Sequence, residues 1–164
     1  MRGRDPRDPC GLLAMTDSAD GAAIQRSRQH RRGVRRASID LEEVLARPIG
    51  PAGDWYRDVA VRVRALAEAF RHHVEQSEGP EGLLPQIIGA EARLVPAVEV
   101  VKREHQALLS EMSRLEAATG RSEGADEQAV REDSLRLLHH VATHRQRGSD
   151  LIYQAYCVDV EGGD

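Results

Sequence analysis

Aromatic residues are scarce in this chain, at 3% of its 164 residues, with a single Trp and a single Phe. No apolar run approaches the roughly 18 residues that a membrane-spanning helix needs, and no secretory signal is visible. The two cysteines, Cys10 and Cys157, lie in opposite terminal segments. That placement is typical neither of a disulfide framework nor of a zinc motif. We therefore expect a cytoplasmic protein.

Charge of one sign is not in large excess either. The formal net charge is −4, so no overall field favours nucleic acid or a membrane as a partner. Residues 31–36 (RRGVRR) form a local basic segment, but no aromatic residue is interleaved for base stacking. A solvated arginine-rich helix face is the favoured interpretation, and we predict no nucleic-acid and no membrane partner.

The chain is rich in Ala, Leu, Val, Glu and Arg, which favours helices packed through aliphatic side chains. Apolar residues recur at the three-and-four spacing of one helix face in four segments. These segments cover about 23–46, 55–76, 96–118 and 127–156. We predict an all-α fold, an up-down-up-down antiparallel four-helix bundle, because short breaker-rich connections separate the segments.

The predicted bundle covers residues 23–158, after a disordered segment at 1–22 and before a flexible tail at 159–164. The sequence from Met15 (MTDSADGAA) is more typical of a protein N-terminus than the sequence from Met1. Residues 1–14 are therefore interpreted as an upstream extension of the reading frame. An apolar turn around Leu84 and Ile87 is expected to cover one end of the bundle. Gly148 interrupts the fourth helical segment, which indicates either a kink or close packing.

Each of the four apolar stripes contains one histidine: His30, His73, His105 and His144. In the antiparallel arrangement all four fall towards the same end of the bundle. A single histidine on an apolar face is more often a satisfied core residue than a ligand. Four unpaired imidazoles would cost several kcal/mol to bury unless they shared a partner. A metal is such a partner, because neutral imidazole binds iron, zinc or copper.

Together with the residues around them, these histidines give the chain a resemblance to the hemerythrin-like (HHE cation-binding) family over roughly residues 23–158. The resemblance is carried by Gln29-His30 with Leu41-Glu42 downstream, 70–73 (FRHH) followed by 78–84 (EGPEGLL), 103–109 (REHQALL), and 140–144 (HVATH) before 150–153 (DLIY). It implies a four-helix bundle that holds a non-haem di-iron centre. It also implies dioxygen binding, iron storage, or a role in oxidative or nitrosative stress.

The carboxylate and second-ligand positions of the family pattern are occupied differently here. They hold Ser77 on the second helix, Leu109 on the third, and Gly148 and Ser149 on the fourth. Glu78, one place beyond Ser77, and His140, one turn before His144, are the candidates to complete the site. Because two iron ions need bridging carboxylates, this ligand set favours a mononuclear or degraded site. Zinc is chemically consistent with it as well.

The leading hypothesis is a metal-binding bundle that binds dioxygen or nitric oxide, or senses redox state or iron. Its non-haem iron, mono- or dinuclear, would lie among the four stripe histidines, with Glu78 or His140 as further ligands. The alternative is a metal-free, degenerate bundle that acts as a structural or protein-interaction module. A third hypothesis is a metal enzyme with Glu75, Glu78 or Glu104 as general base. Glu104 is expected to face away from the apolar stripe of its helix.

Overall fold

The computed structural model describes residues 19–49, 54–120 and 126–157. Within these ranges every regular element is helical and no strand is present. The helices are α1 (Ala19–Leu45), α2 (Asp54–Glu78), α3 (Leu83–Ala90), α4 (Val95–Thr119) and α5 (Glu127–Tyr156), with a 3₁₀ turn at Ala92–Leu94. The prediction of an all-α helical bundle is confirmed. None of the described helices is both long enough and apolar enough to cross a membrane.

The four long helices lie where the apolar spacing predicts them. α5 has the predicted bounds, and its cap is Asp126, whose carboxylate accepts the backbone N–H groups of Gln128 and Ala129. α1 begins at Ala19, so residues 19–22 are helical rather than disordered as predicted. α2 begins at Asp54, close to the predicted start at residue 55. The predictions for residues 1–18 and for the tail lie outside the described residues.

The predicted apolar turn is a short helix, α3, which buries Leu83, Leu84 and Ile87. The turn that joins it to α2 depends on a glycine. A Cβ at Gly82 would lie 2.3 Å from the carbonyl oxygen of Ser77, a distance that no side chain tolerates. The absence of a Cβ therefore lets α3 fold back closely against the C-terminal end of α2.

The long helices form a ring in which α1 and α4 each pack against both α2 and α5. Their buried side chains fall into two clusters. The larger cluster belongs to the four long helices and includes Trp55 and Phe70. The smaller cluster joins α3 to Ile24 and to the nearby parts of α4 and α5.

A layer of histidines separates the two clusters. On α4, His105 lies between Val101 of the smaller cluster and Leu108 of the larger one. On α5, His144 lies in the same way between the two clusters. The helical repeat of each stripe thus places polar rings at one level of an otherwise apolar interior.

Two features of the C-terminal helix differ from the sequence-based expectation. α5 runs through Gly148 without a break. A Cβ at Gly148 would meet nothing within 4 Å, so close packing does not explain the glycine. Cys157, which follows α5, is disulfide-bonded, whereas the placement of the cysteines predicts no disulfide framework. Disulfides are more typical of oxidising compartments, and the cytoplasmic location stays a prediction.

Candidate metal centre

Three histidines from three helices meet in the layer between the core clusters. His73 comes from α2, His105 from α4 and His144 from α5, and one ring nitrogen of each lies within 4.8 Å of the others. Their exposed fractions are 8%, 0% and 4%. The ring centroids are 5.3 Å apart for His73 and His105, 5.7 Å for His73 and His144, and 4.8 Å for His105 and His144. The three rings thus form a compact, buried group.

Phe70 forms an apolar wall that all three rings contact. Its ring centroid lies 5.6 Å from that of His73, 5.9 Å from that of His105 and 5.5 Å from that of His144. Phe70 precedes His73 by three residues on α2, so both side chains lie on the same face of that helix. Phe70 is fully buried and fixes the positions of the three imidazole rings by packing against them. Its ring carries no polar atom, so it offers them no hydrogen-bond partner.

Carboxylates hold the outer nitrogens of two of the rings. The Nδ1 atom of His105 lies 2.6 Å from Oε1 of Glu78, and that of His144 lies 3.1 Å from Oε2 of Glu104. An ionised carboxylate only accepts hydrogen bonds, so each Nδ1 carries the proton and each Nε2 keeps a free lone pair. A carboxylate behind a histidine is the usual support for a metal-ligating imidazole. Arg147 also pairs with Glu104 and so fixes that carboxylate.

His73 has a weaker partner of the same kind. The Ser77 hydroxyl donates to the backbone carbonyl of His73 at 2.6 Å, which leaves its oxygen lone pairs available. That oxygen lies 3.4 Å from Nδ1 of His73. This contact favours a proton on Nδ1 of His73, as in the other two rings. Ser77 therefore helps to orient the ring of His73.

The Nε2 atom of His105 is buried and has no hydrogen-bond partner within the described part of the chain. A buried polar atom that is left unsatisfied costs about 1–3 kcal/mol. Such atoms are uncommon in folded proteins, and a bound water, ion or ligand is one way in which they are satisfied. His105 lines a cavity together with His73 and His144. The donor set and the unsatisfied atom both fit a metal ion.

Burial keeps the three rings neutral. It lowers the pKa of His73 to about 3, and the repulsion that a protonated His73 would meet from protonated His105 or His144 acts in the same direction. Burial likewise lowers the pKa of His144 to about 4. For His105, burial also lowers the pKa, although the hydrogen bond to Glu78 opposes the shift. At neutral pH all three imidazoles thus offer lone pairs, which metal binding requires.

The cavity beside the rings is small and mostly apolar. The space open to the centres of water molecules is about 40 Å³, which is enough for one or a few waters or a diatomic molecule. Leu84 and Ile87 of α3 and Leu151 of α5 line it. α3 therefore acts as a lid that limits the access of solvent to the three histidines.

The other residues predicted from the sequence as ligands lie outside the histidine group. The ring of His30 packs edge-on against that of His72, with centroids 4.9 Å apart. The Nδ1 atom of His140 lies 2.9 Å from Oε2 of Glu111, and 43% of the His140 side chain is exposed. Glu78 is next to the group, but it contacts the outer nitrogen of a ring. It therefore supports a candidate ligand and does not replace one.

The stripe pattern did not identify the role of Glu104. Its position next to His105 turns it off the apolar face of α4, as predicted, yet its partner His144 is on α5. Only the packing of α4 against α5 brings the two together. A glutamate directly before a stripe histidine was the one available signal, and it does not name the partner.

Comparisons of the chain with protein-family models, with curated proteins and with solved structures find no match. The hemerythrin-like resemblance accordingly rests on the motifs quoted above. The functional argument below therefore depends on the residues of this chain and on their geometry.

Proposed function

We propose that this protein is a hemerythrin-like bundle that binds one transition-metal ion, non-haem iron or zinc, through His73, His105 and His144. The observation that carries the proposal is the buried, unpartnered Nε2 atom of His105, which lies beside two further neutral imidazoles. The proposal includes an antiparallel up-down-up-down order of the long helices. Short connections and the contacts between α1 and α2 and between α4 and α5 support that order.

The donor set favours a mononuclear site. It contains three imidazole nitrogens and, among the described residues, no carboxylate in the group itself. A second metal ion would need bridging carboxylates to balance its charge. Three histidines with one open position match a zinc site and also suit ferrous iron. His30 and His140 are not needed for this site.

The open position gives the proposed site its function. Ferrous iron held there would supply an open coordination position and the electron density that binding of a small ligand such as dioxygen or nitric oxide requires, whereas zinc, which has no redox chemistry, would not. Phe70 and the α3 side chains keep the cavity apolar, and Glu78 and Glu104 orient the imidazole rings of His105 and His144. Ligand binding, or sensing of redox state or iron, suits this arrangement better than catalysis, since among the described residues no carboxylate lines the cavity and its three histidines would all be occupied as metal ligands.

A metal-free interaction module is the second candidate. The observation that favours it is that, among the described residues, the histidine group contains no carboxylate that could serve as a ligand. In such a module the Nε2 atom of His105 would remain an unsatisfied polar group. Its replacement by an apolar side chain would then stabilise the fold.

The metal content of the full chain tests the proposal. After expression without a His tag in medium supplemented with iron and zinc, mass spectrometry should find about one metal ion per chain. His105→Leu should remove the metal, because the ring loses its donor atom. His139→Leu replaces an exposed histidine of α5 and should leave the metal content unchanged.

A second pair of variants guards against a failure of His105→Leu to fold. Glu78→Ala removes the carboxylate behind His105 and should weaken metal binding by about 10- to 100-fold in a chelator competition. Glu81→Ala changes an exposed glutamate in the same turn and should have no effect. A folded wild-type chain without metal, together with a His105→Leu variant more stable than the wild type, would instead establish the metal-free module.

A further inference from the structure

A second concave site lies between α1 and α5, and arginines dominate it. Its lining residues are Arg28, Arg31, Arg32 and Arg35 of α1, and Ala142, Arg145, Gln146 and Ser149 of α5. The space open to the centres of water molecules is about 400 Å³, a size typical of small-molecule sites. We call this site the arginine groove.

The positive charge of the arginine groove is not balanced within the described part of the chain. None of its five arginines forms an ion pair there, whereas other surface arginines do so, such as Arg36 with Asp40 and Arg71 with Glu116. Among the residues that the structure describes, Nη1 of Arg31 has only a long hydrogen bond, 3.4 Å, to the hydroxyl of Ser149. No carboxylate of these residues lines the groove.

Arg31 is the most confined of these side chains. Burial and the charges of Arg28 and Arg145 lower its pKa from the usual value. The guanidinium remains charged, so this crowding is an energetic cost that a bound anion would relieve. The groove thus combines shape, unpaired donors and like charges in one place.

We propose that the arginine groove binds a small anion with several negative charges, of the di- or triphosphate class. Planar guanidinium groups bind phosphate oxygens in pairs, and several of them around one ligand suit several phosphate groups. The space exceeds that of a single inorganic phosphate. A short polyphosphate chain matches both the volume and the number of donors.

The lining favours a small molecule over nucleic acid or a membrane. In the part of the chain that the structure describes, the lining has no aromatic side chain on which a base could stack. Nor do these lining residues include a large apolar side chain that could enter a lipid layer. The net charge of the chain is −4, so the overall field does not attract a polyanionic surface.

The arginine groove adjoins the histidine cavity, because Arg31 and Arg145 line both. An anion in the groove would therefore order two side chains of the cavity wall. The proposal does not depend on the metal, since Arg28, Arg32 and Arg35 line the groove alone.

Calorimetric titration with inorganic tripolyphosphate tests the proposal on the full, chelator-treated chain at about 0.1 M salt. We expect saturable binding of about one tripolyphosphate per chain. The double variant Arg28→Gln/Arg32→Gln, which leaves the cavity wall intact, should bind at least about tenfold more weakly. Arg64→Gln replaces an exposed arginine of α2 outside the groove and should change the affinity by less than about twofold.

Circular dichroism of each variant verifies the fold, and the single variant Arg35→Gln replaces the double one if helicity falls. The proposal is overturned if tripolyphosphate gives no binding at millimolar concentration, or if Arg64→Gln weakens binding as much as the groove variant. A parallel sedimentation with phosphatidylglycerol vesicles separates the sources of phosphate. Vesicle binding without tripolyphosphate binding would assign the groove to lipid headgroups and would also overturn the proposal.

Discussion

His105 shows how two opposing effects act on one imidazole. Complete burial favours the neutral ring, while the carboxylate of Glu78 favours the charged one, and burial prevails. The result is a neutral ring whose Nδ1–H group is held by an anion. Such a hydrogen bond increases electron density at Nε2 and makes that atom a better metal donor.

The stability of the metal-free protein should fall as the pH decreases from about 6.5 towards 4. His73 and His144 have folded-state pKa values of about 3 and about 4, below the ordinary 6.5. Below pH 6.5 the unfolded chain therefore binds protons that the folded chain does not, and each such histidine contributes a slope of about 1.4 kcal/mol per pH unit. Urea unfolding in chelator at pH 7, 6 and 5 measures this slope.

The variant His144→Leu isolates one of these protons. Its free energy of unfolding should depend on pH less steeply than that of the wild type, by about one proton between pH 5 and 6. Leu135→Ala, on the exposed face of α5, changes no titratable group and should keep the wild-type slope. Identical slopes for the wild type and His144→Leu would show that His144 is not held neutral by the fold.

Sequence patterns predicted the three grouped histidines because each one replaces an aliphatic residue on an apolar stripe. A stripe gives the face and the approximate height of a residue, but not which neighbour it meets. His30 satisfies the same pattern, yet it packs against His72 and lies outside the group. The contact between Glu104 and His144 likewise depends on how two helices meet, which one helix face does not encode.

At the scale of elements, the turn between α2 and α3 positions the Glu78 carboxylate. Gly82→Ala should destabilise the protein by about 2 kcal/mol or more, because its Cβ would lie 2.3 Å from a backbone oxygen. It should also weaken metal binding, since the end of α2 must move. Urea unfolding and chelator competition measure the two effects.

Gly89 provides the matched control within the same segment. It is an exposed helical residue at which a Cβ meets nothing within 4 Å. Gly89→Ala should therefore stabilise α3 by up to about 1 kcal/mol and leave metal binding unchanged. Equal losses of stability in both variants would mean that close backbone approach at Gly82 is not what the turn requires.

Elements with a clear apolar period were predicted well, and the short one was not. The stripes of α2, α4 and α5 gave bounds close to those observed because each helix buries one face. α3 has only eight residues, about two turns, so it contains too few apolar residues to define a helical period in the sequence. Pro85 in its first turn also resembles a loop signal, although the missing N–H is harmless there.

At the scale of the whole molecule, the histidine layer divides the interior into unequal parts. Among the described residues the larger cluster buries 18 side chains and the smaller one buries 10. Less buried apolar surface means a lower free energy of local opening. The end that contains α3 should therefore open more easily than the opposite end.

Metal binding should stabilise the α3 end selectively. A metal ion shared by α2, α4 and α5 would hold the smaller cluster closed, because that cluster adjoins the histidine layer. Hydrogen exchange should show slower exchange in α3 for the metal-loaded protein than for the chelator-treated one, with little change at Trp55 and its neighbours. His105→Leu should show no metal-dependent difference. Equal changes in all helices, or none, would contradict the division into two parts.

Trp55 provides an optical signal for one half of this interior. It is the only tryptophan of the chain. It belongs to the larger cluster, where its indole N–H donates to the Val44 carbonyl at 3.1 Å and the guanidinium of Arg131 lies 5.1 Å from the ring centroid. Its fluorescence therefore reports the end remote from α3, whereas far-ultraviolet ellipticity reports all helices. A loss of ellipticity at constant emission identifies opening of the histidine end without any introduced label.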